Sequence, residues 1–114
     1  MEGVKVTKED IQGEIRFLHN IISAKKNAQI KGLLENCSRK QSNLLIRMTI
    51  LLVFNAHKCE KSVVEKLALK KKILLKTLKK KTGRKKLMKN VHLARAFLIS
   101  IASAIPTIVH CFLK

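Results

Sequence analysis

Aromatic side chains are nearly absent from this chain: it has no Trp, no Tyr and only four Phe. That argues against a single-strand-binding surface built from rings, because each stacked base needs its own platform. Acids are also scarce, with seven Asp and Glu in 114 residues, four of them (Glu2, Glu9, Asp10, Glu14) within the first 14. No carboxylate pair is left for acid–base work, and the chain reads as a non-enzyme. Four Gly (Gly3, Gly13, Gly32, Gly83) leave no room for a phosphate-cradling loop. The three Cys, Cys37, Cys59 and Cys111, are scattered and form no CxxC. With an N-terminal stretch that lacks an apolar signal core, they are expected to be reduced thiols in a cytosolic, nuclear or matrix compartment. His57 and Cys59 stand two apart, on different faces of any helix, and no second pair completes a zinc site. His19, His92 and His110 are isolated in sequence and are expected to be packed or interfacial. No metal and no cofactor is expected.

What the chain has in excess is positive charge. With 25 Lys and Arg the formal net charge is +18, far beyond what solubility asks, and self-repulsion on that scale calls for a polyanionic partner, nucleic acid or anionic lipid. The charge is uneven: residues 58–95 hold 15 basic residues and two acids, Glu60 and Glu65, and no acid follows Glu65. Within this region Lys72, Lys76 and Lys79 recur at helical spacing. Lys80, Lys81, Arg84, Lys85, Lys86 and Lys89 follow in a run whose KKKTGRKK core has the composition of a nuclear localisation signal. These residues are the candidate phosphate contacts.

Periodicity predicts an all-α fold, a single basic domain over 1–114 made of four to five short-connected helices. Thr7 caps a first helix, with Asp10 three residues on. Its stripe, Ile11, Ile15, Leu18 and Ile22, loses phase at Lys25, Lys26, Asn27 and Gln29 before Ile30, Leu33, Leu34 and Cys37 resume it, so the helix either runs on or breaks there. The run 37–43 reads as a polar loop with Ser42 or Asn43 as the next cap. Residues 44–54 read as a buried helix, with a strand left open by their β-branched content, and 55–61 as a turn. Ser62 and Glu65 have capping-box spacing and start a further helix. Thr82-Gly83 reads as its stop. An apolar C-terminal helix then spans about 86–113, opening near Lys85 and either ending near Ala104, before Pro106, or continuing with a kink.

That last stretch can be buried in two ways. Residues 96–113 contain no acid, Lys or Arg over 18 positions, which suits either the central helix of a bundle or a minimal membrane span with the basic run 79–89 as its cytoplasmic flank. Pro106, Ser100, Ser103, Thr107 and His110 weaken the second alternative. Residues 44–54 favour the first, as a second apolar element that needs protein to cover it. Protein subunits are accordingly expected on the 44–54 and 96–113 segments, with nucleic acid on the basic faces.

The order of a striped first helix, a Lys25-Lys26-Asn27-x-Gln29 cluster, a Lys-rich middle and an apolar terminal helix resembles the RNA-binding protein subunit specific to the RNase MRP ribonucleoprotein. The resemblance spans about residues 11–112. It implies a helical, non-catalytic RNA-binding subunit in the nucleus, in the nucleolus, serving rRNA processing, with Lys25, Lys26, Asn27 and Gln29 as RNA contacts. The family carries Trp after this motif and a His where this chain has Ile30; here there is no Trp.

Overall fold

The computed structural model describes residues 4–54, 65, 76, 78 and 80–113. The chain is all-α, and the described residues form seven α-helices and no strand. These are α1 (Lys8–Gly13), α2 (Ile15–Ser23), α3 (Asn27–Glu35), α4 (Arg39–Phe54), α5 (Lys81–Lys89), α6 (Val91–Ser100) and α7 (Ile105–Leu113), with a 3-10 turn, Ala102–Ala104, before α7. The count exceeds four to five because long stripes are cut by local backbone chemistry. The expected turn at 55–61, the Ser62 cap and the helix it starts, and the His57–Cys59 pair lie outside the described residues, apart from Glu65, Lys76 and Leu78, which are helical.

Thr7 and Asp10 close the expected capping box, the Asp10 N–H donating to the Thr7 hydroxyl at 3.1 Å and the Thr7 N–H to the Asp10 carboxylate at 3.0 Å. The first helix then stops at Gly13, and Glu14 leaves helical geometry at φ −124°, ψ 22°. Restarting at Ile15 rotates the buried face, so that Phe17, Leu18 and Ile21 are interior while Ile11, Ile15 and Ile22 are only half-buried. The phase loss after Ser23 is a real break. Gln29 reaches back to accept from the N–H groups of Lys25 at 2.9 Å and Lys26 at 3.1 Å, satisfying donors at the start of α3 that have no intrahelical partner.

The cap of α4 is Ser38, not Ser42 or Asn43. Ser38 and Gln41 exchange hydrogen bonds at 2.9 and 3.1 Å, which is capping-box geometry, so the helix starts five residues before the apolar run. Residues 44–54 are helical rather than extended, and Leu44, Leu45, Ile46, Met48 and Ile50 have at most 1 % of their surface exposed. Thr49 is buried with them and donates to the Leu45 carbonyl at 2.8 Å, so its hydroxyl is not orphaned.

The C-terminal half departs furthest from one long helix. Thr82-Gly83 does not stop a helix but lies inside α5. The break falls instead at Asn90, whose side-chain oxygen accepts from the N–H groups of His92 at 3.0 Å and Leu93 at 3.2 Å and so caps α6. A second break at Ile101 turns the chain by 74°. Pro106 then sits in the first turn of α7, where its missing N–H costs nothing, and the helix runs on to Leu113.

The bend lets one apolar stretch cover two sides of the bundle. α6 packs on α3, α4 and α5, and α7 packs on α2 and α4. Leu98, Ile101, Ile105, Ile108 and Val109 are fully buried. The two apolar segments 44–54 and 96–113 thus bury one another. Among the described residues no single helix is long and apolar enough to cross a membrane, although α6 and the segment Ala102–Leu113 together have the length and composition of one bent span.

Two arginines tie the outer helices to this core. Arg47 of α4 donates to Asn43 at 2.7 Å, to the Lys5 carbonyl at 2.8 Å and to Asp10 at 3.0 Å, which fixes the N-terminal arm. Arg95 of α6 donates from Nε at 2.9 Å, and from a second guanidinium nitrogen, to the carbonyl of Cys37 in the α3–α4 connection.

Candidate nucleic-acid interface

Among the described residues the strongest concentration of charge lies on α5. Gly83, Arg84, Leu87 and Met88 turn towards α4 and α6, whereas Lys81, Thr82, Lys85, Lys86 and Lys89 are exposed on the opposite face. Lys81, Lys85 and Lys89 recur every four residues, about 6 Å apart along the axis, in a ridge with Lys86 beside it. Lys85, Lys86 and Lys89 also line a shallow depression of about 650 Å³ with Thr82, Asn90 and Leu93. Leu93 stands 47 % exposed in it, giving the cationic rim an apolar floor. Since α5, α6 and α7 contain no acid, nothing on these elements neutralises the ridge.

The remaining candidates fall near this ridge, on a separate patch, or outside the described residues. Lys80 precedes α5 and is exposed, as is Lys76. Lys72 and Lys79 lie outside the described residues. Arg84 is half-buried, and its Nη1 donates to the Leu78 carbonyl at 2.7 Å, an anchor for the start of α5 rather than a solvent-facing cation. Lys25, Lys26, Asn27 and Gln29 are exposed at the start of α3, which meets the bundle through α6 and the 3-10 turn rather than through α5. They form a second basic patch. Within it the Gln29 oxygen is committed to capping, which leaves its NH2 group without a partner among the described residues.

A groove that sequence reasoning missed lies between α2, α3 and the start of α4. Its volume is about 650 Å³, its floor includes Phe17, Ala24 and Leu33, and its polar lining includes Asn20, Gln29, Asn36 and Gln41. A smaller recess of about 300 Å³ adjoins it, sharing Phe17, Asn20 and Gln41 and adding Gln12 and Arg16. The amides are differently engaged. Gln41 spends its amide on the Ser38 cap and on Glu14 at 3.0 Å, and Asn36 donates to the Gly32 carbonyl at 2.9 Å, which leaves its oxygen without a partner among the described residues. The Asn20 side chain makes no hydrogen bond among the described residues. No sequence spacing announces this groove, because its residues are drawn from three helices.

Asp10 and Cys37 are otherwise occupied. The Thr7 N–H, and then the Arg47 guanidinium, hold the Asp10 carboxyl below its ordinary range. Burial pushes the Cys37 thiol up, against the opposing pull of Arg95. His19, His92 and His110 are solvent-exposed rather than packed. Among the described residues no three His, Cys, Asp or Glu side chains gather where a metal could be held. Comparison with known protein families, with curated proteins and with solved structures finds no match for this chain.

Proposed function

We propose that this chain is a non-catalytic, strongly basic helical subunit that binds RNA through its sugar–phosphate backbone. The observation that carries the reading is the exposed ridge of Lys81, Lys85, Lys86 and Lys89 on a helix whose described neighbours, α4 and α6, contain no acid. Lysine ammonium groups at regular spacing neutralise phosphates and release counterions, and such contacts carry little sequence information. A nuclear, nucleolar ribonucleoprotein is the proposed setting, with an RNase MRP-type assembly acting on rRNA as its most specific form. Support for that setting comes from the KKKTGRKK run and from the Lys25-Lys26-Asn27-x-Gln29 cluster. DNA shares the backbone chemistry and is the competing ligand.

A second reading, a C-terminal membrane anchor flanked by the same lysines, draws on the composition of residues 96–113. In that case anionic lipid headgroups replace RNA phosphates on α5. Protein subunits on the 44–54 and 96–113 segments are proposed as further partners: the two segments pack on one another within the chain and leave Val53, Phe112 and Leu113 only half-buried.

The test replaces Lys81, Lys85, Lys86 and Lys89 with Gln. The control replaces Lys5, Lys8, Lys31 and Arg39, all exposed, which removes the same charge from other elements. The ridge variant is expected to bind RNA at least tenfold more weakly than the control, with unchanged melting. Equal losses in the two proteins would show that net charge alone drives binding and would remove the case for a defined face.

A further inference from the structure

We infer that the amide-lined groove between α2 and α3 receives an unpaired nucleobase of RNA, its phosphates lying on the cations at the rim. The inference rests on the reading of the chain as an RNA-backbone binder and adds to it a site where base identity is felt. Three observations converge on it. The free polar groups are of the kind that read base edges: the whole Asn20 amide, the Gln29 NH2 and the Asn36 oxygen together offer donors and acceptors above an apolar floor containing Phe17 and Leu33. Asn and Gln amides pair in two-point fashion with adenine, and sequence-specific RNA recognition works on bases that are not stacked in a duplex. The volume, about 650 Å³, is in the range that ligand-sized groups occupy.

Cations frame the opening. Lys25 and Lys26 are bonded through their backbones to groove-lining Gln29, and Arg16 lines the adjoining recess. The Lys40 ammonium lies 3.9 Å from where a Cβ on Gly13, also in that recess, would stand. Glu14, the acid of this recess, is held by Gln41. The balance suits a phosphate-linked ligand better than an acid-free apolar peptide.

The third observation is Gly32. It lies inside α3, where glycine is the least favourable residue after proline, yet a Cβ there would meet nothing within 4 Å. Packing within the chain does not require a glycine at this position. Gly32 lines the groove, so a side chain added there would take up groove space rather than meet the chain's own atoms.

Gly32 also supplies the test. A Phe at position 32 starts in open space and obstructs part of the groove while leaving the α5 ridge untouched. Full-length wild type, Gly32→Phe, Asn20→Ala and the four-lysine ridge variant are titrated with oligoadenylate, with an abasic oligomer of equal length, and with duplex RNA. Wild type is expected to prefer oligoadenylate to the abasic strand about tenfold, the scale of one or two base-edge contacts. Gly32→Phe abolishes that preference, and Asn20→Ala, an exposed residue outside α3, reduces it. Both leave duplex affinity and its salt dependence unchanged, whereas the ridge variant weakens all three ligands. Equal binding of oligoadenylate and abasic strand by wild type, or a preference that survives in Gly32→Phe, overturns the inference and leaves the backbone reading standing. Loss of a co-purifying protein from Gly32→Phe with RNA preference intact would assign the groove to that protein and overturn it equally. A wild type that binds none of the three overturns both readings together.

Discussion

Replacing Leu98 with Ala and, separately, Ser103 with Lys separates a packed C-terminal hairpin from a membrane span. Leu98 is fully buried in α6, against helices that themselves bury six large apolar side chains of 44–54. Truncation there removes the transfer free energy of the lost atoms and leaves a cavity, together about 2–5 kcal/mol. Against a total stability of about 5–15 kcal/mol that is a large fraction. At this chain length each kcal/mol lowers Tm by roughly 3–6 °C, so a fall of roughly 6–30 °C is expected in a circular-dichroism melt. Ser103 lies near the middle of 96–113 but is exposed in the 3-10 turn. On the bundle surface a Lys there changes stability by no more than about 0.5 kcal/mol. In a span it would cost about 2.5–3.5 kcal/mol of insertion energy. Ala102, one residue earlier, is 2 % exposed, so a Lys there would harm either state and decide nothing. Melting of the purified proteins is paired with carbonate extraction of cells expressing them. A Leu98→Ala protein that melts like wild type, or a wild type held in membranes and released by Ser103→Lys, would refute the packing argument.

Arg95→Met strips the Cys37 carbonyl of its two guanidinium donors and is expected to cost about 1–3 kcal/mol, read as a lower urea midpoint at unchanged m value. An unshifted midpoint would mean that water replaces the arginine without penalty. The Asp10 carboxyl, held below its ordinary range by the Thr7 N–H and then by Arg47, takes up its proton later in the folded state than in the unfolded one. Its contribution is therefore complete above about pH 4 and is lost as pH falls through the lowered folded value. Asp10→Asn is expected to flatten that part of the stability profile, and parallel acid titrations of the two proteins would contradict it.

The parts of this fold legible in the sequence are those where one signal acts alone. Thr7 with Asp10 marks a helix start without competition, and the apolar runs at 44–54 and 96–113 mark the core. Elsewhere two signals overlap. Ser38 and Gln41 have capping spacing, but the polar residues after them disguise the first turn of α4 as a loop. Asn90 is a strong cap, yet it falls between a basic and an apolar run that share helical period, so two helices read as one. Pro106 announces a disturbance that the backbone makes five residues earlier, at Ile101, leaving the proline in a first turn that tolerates it. The cationic character of α5 is plain from composition. Which of its cations turns inward, Arg84 towards the Leu78 carbonyl, depends on packing that composition does not encode. The amide groove is less legible still, because Asn20, Gln29, Asn36 and Gln41 converge only once α2, α3 and α4 have docked.

The central claim, that an ordered lysine ridge engages nucleic-acid phosphates, is tested most directly by the salt dependence of RNA binding in wild type and in the variant with Gln at 81, 85, 86 and 89. If about six phosphates are neutralised, log K falls against log salt with a slope of roughly −4 to −5, and each lysine removed makes the slope shallower by about one. With about two contacts left, the account predicts a variant slope of roughly −1.5 to −2. A wild-type titration that is flat, or a variant slope as steep as the wild type's, would contradict it.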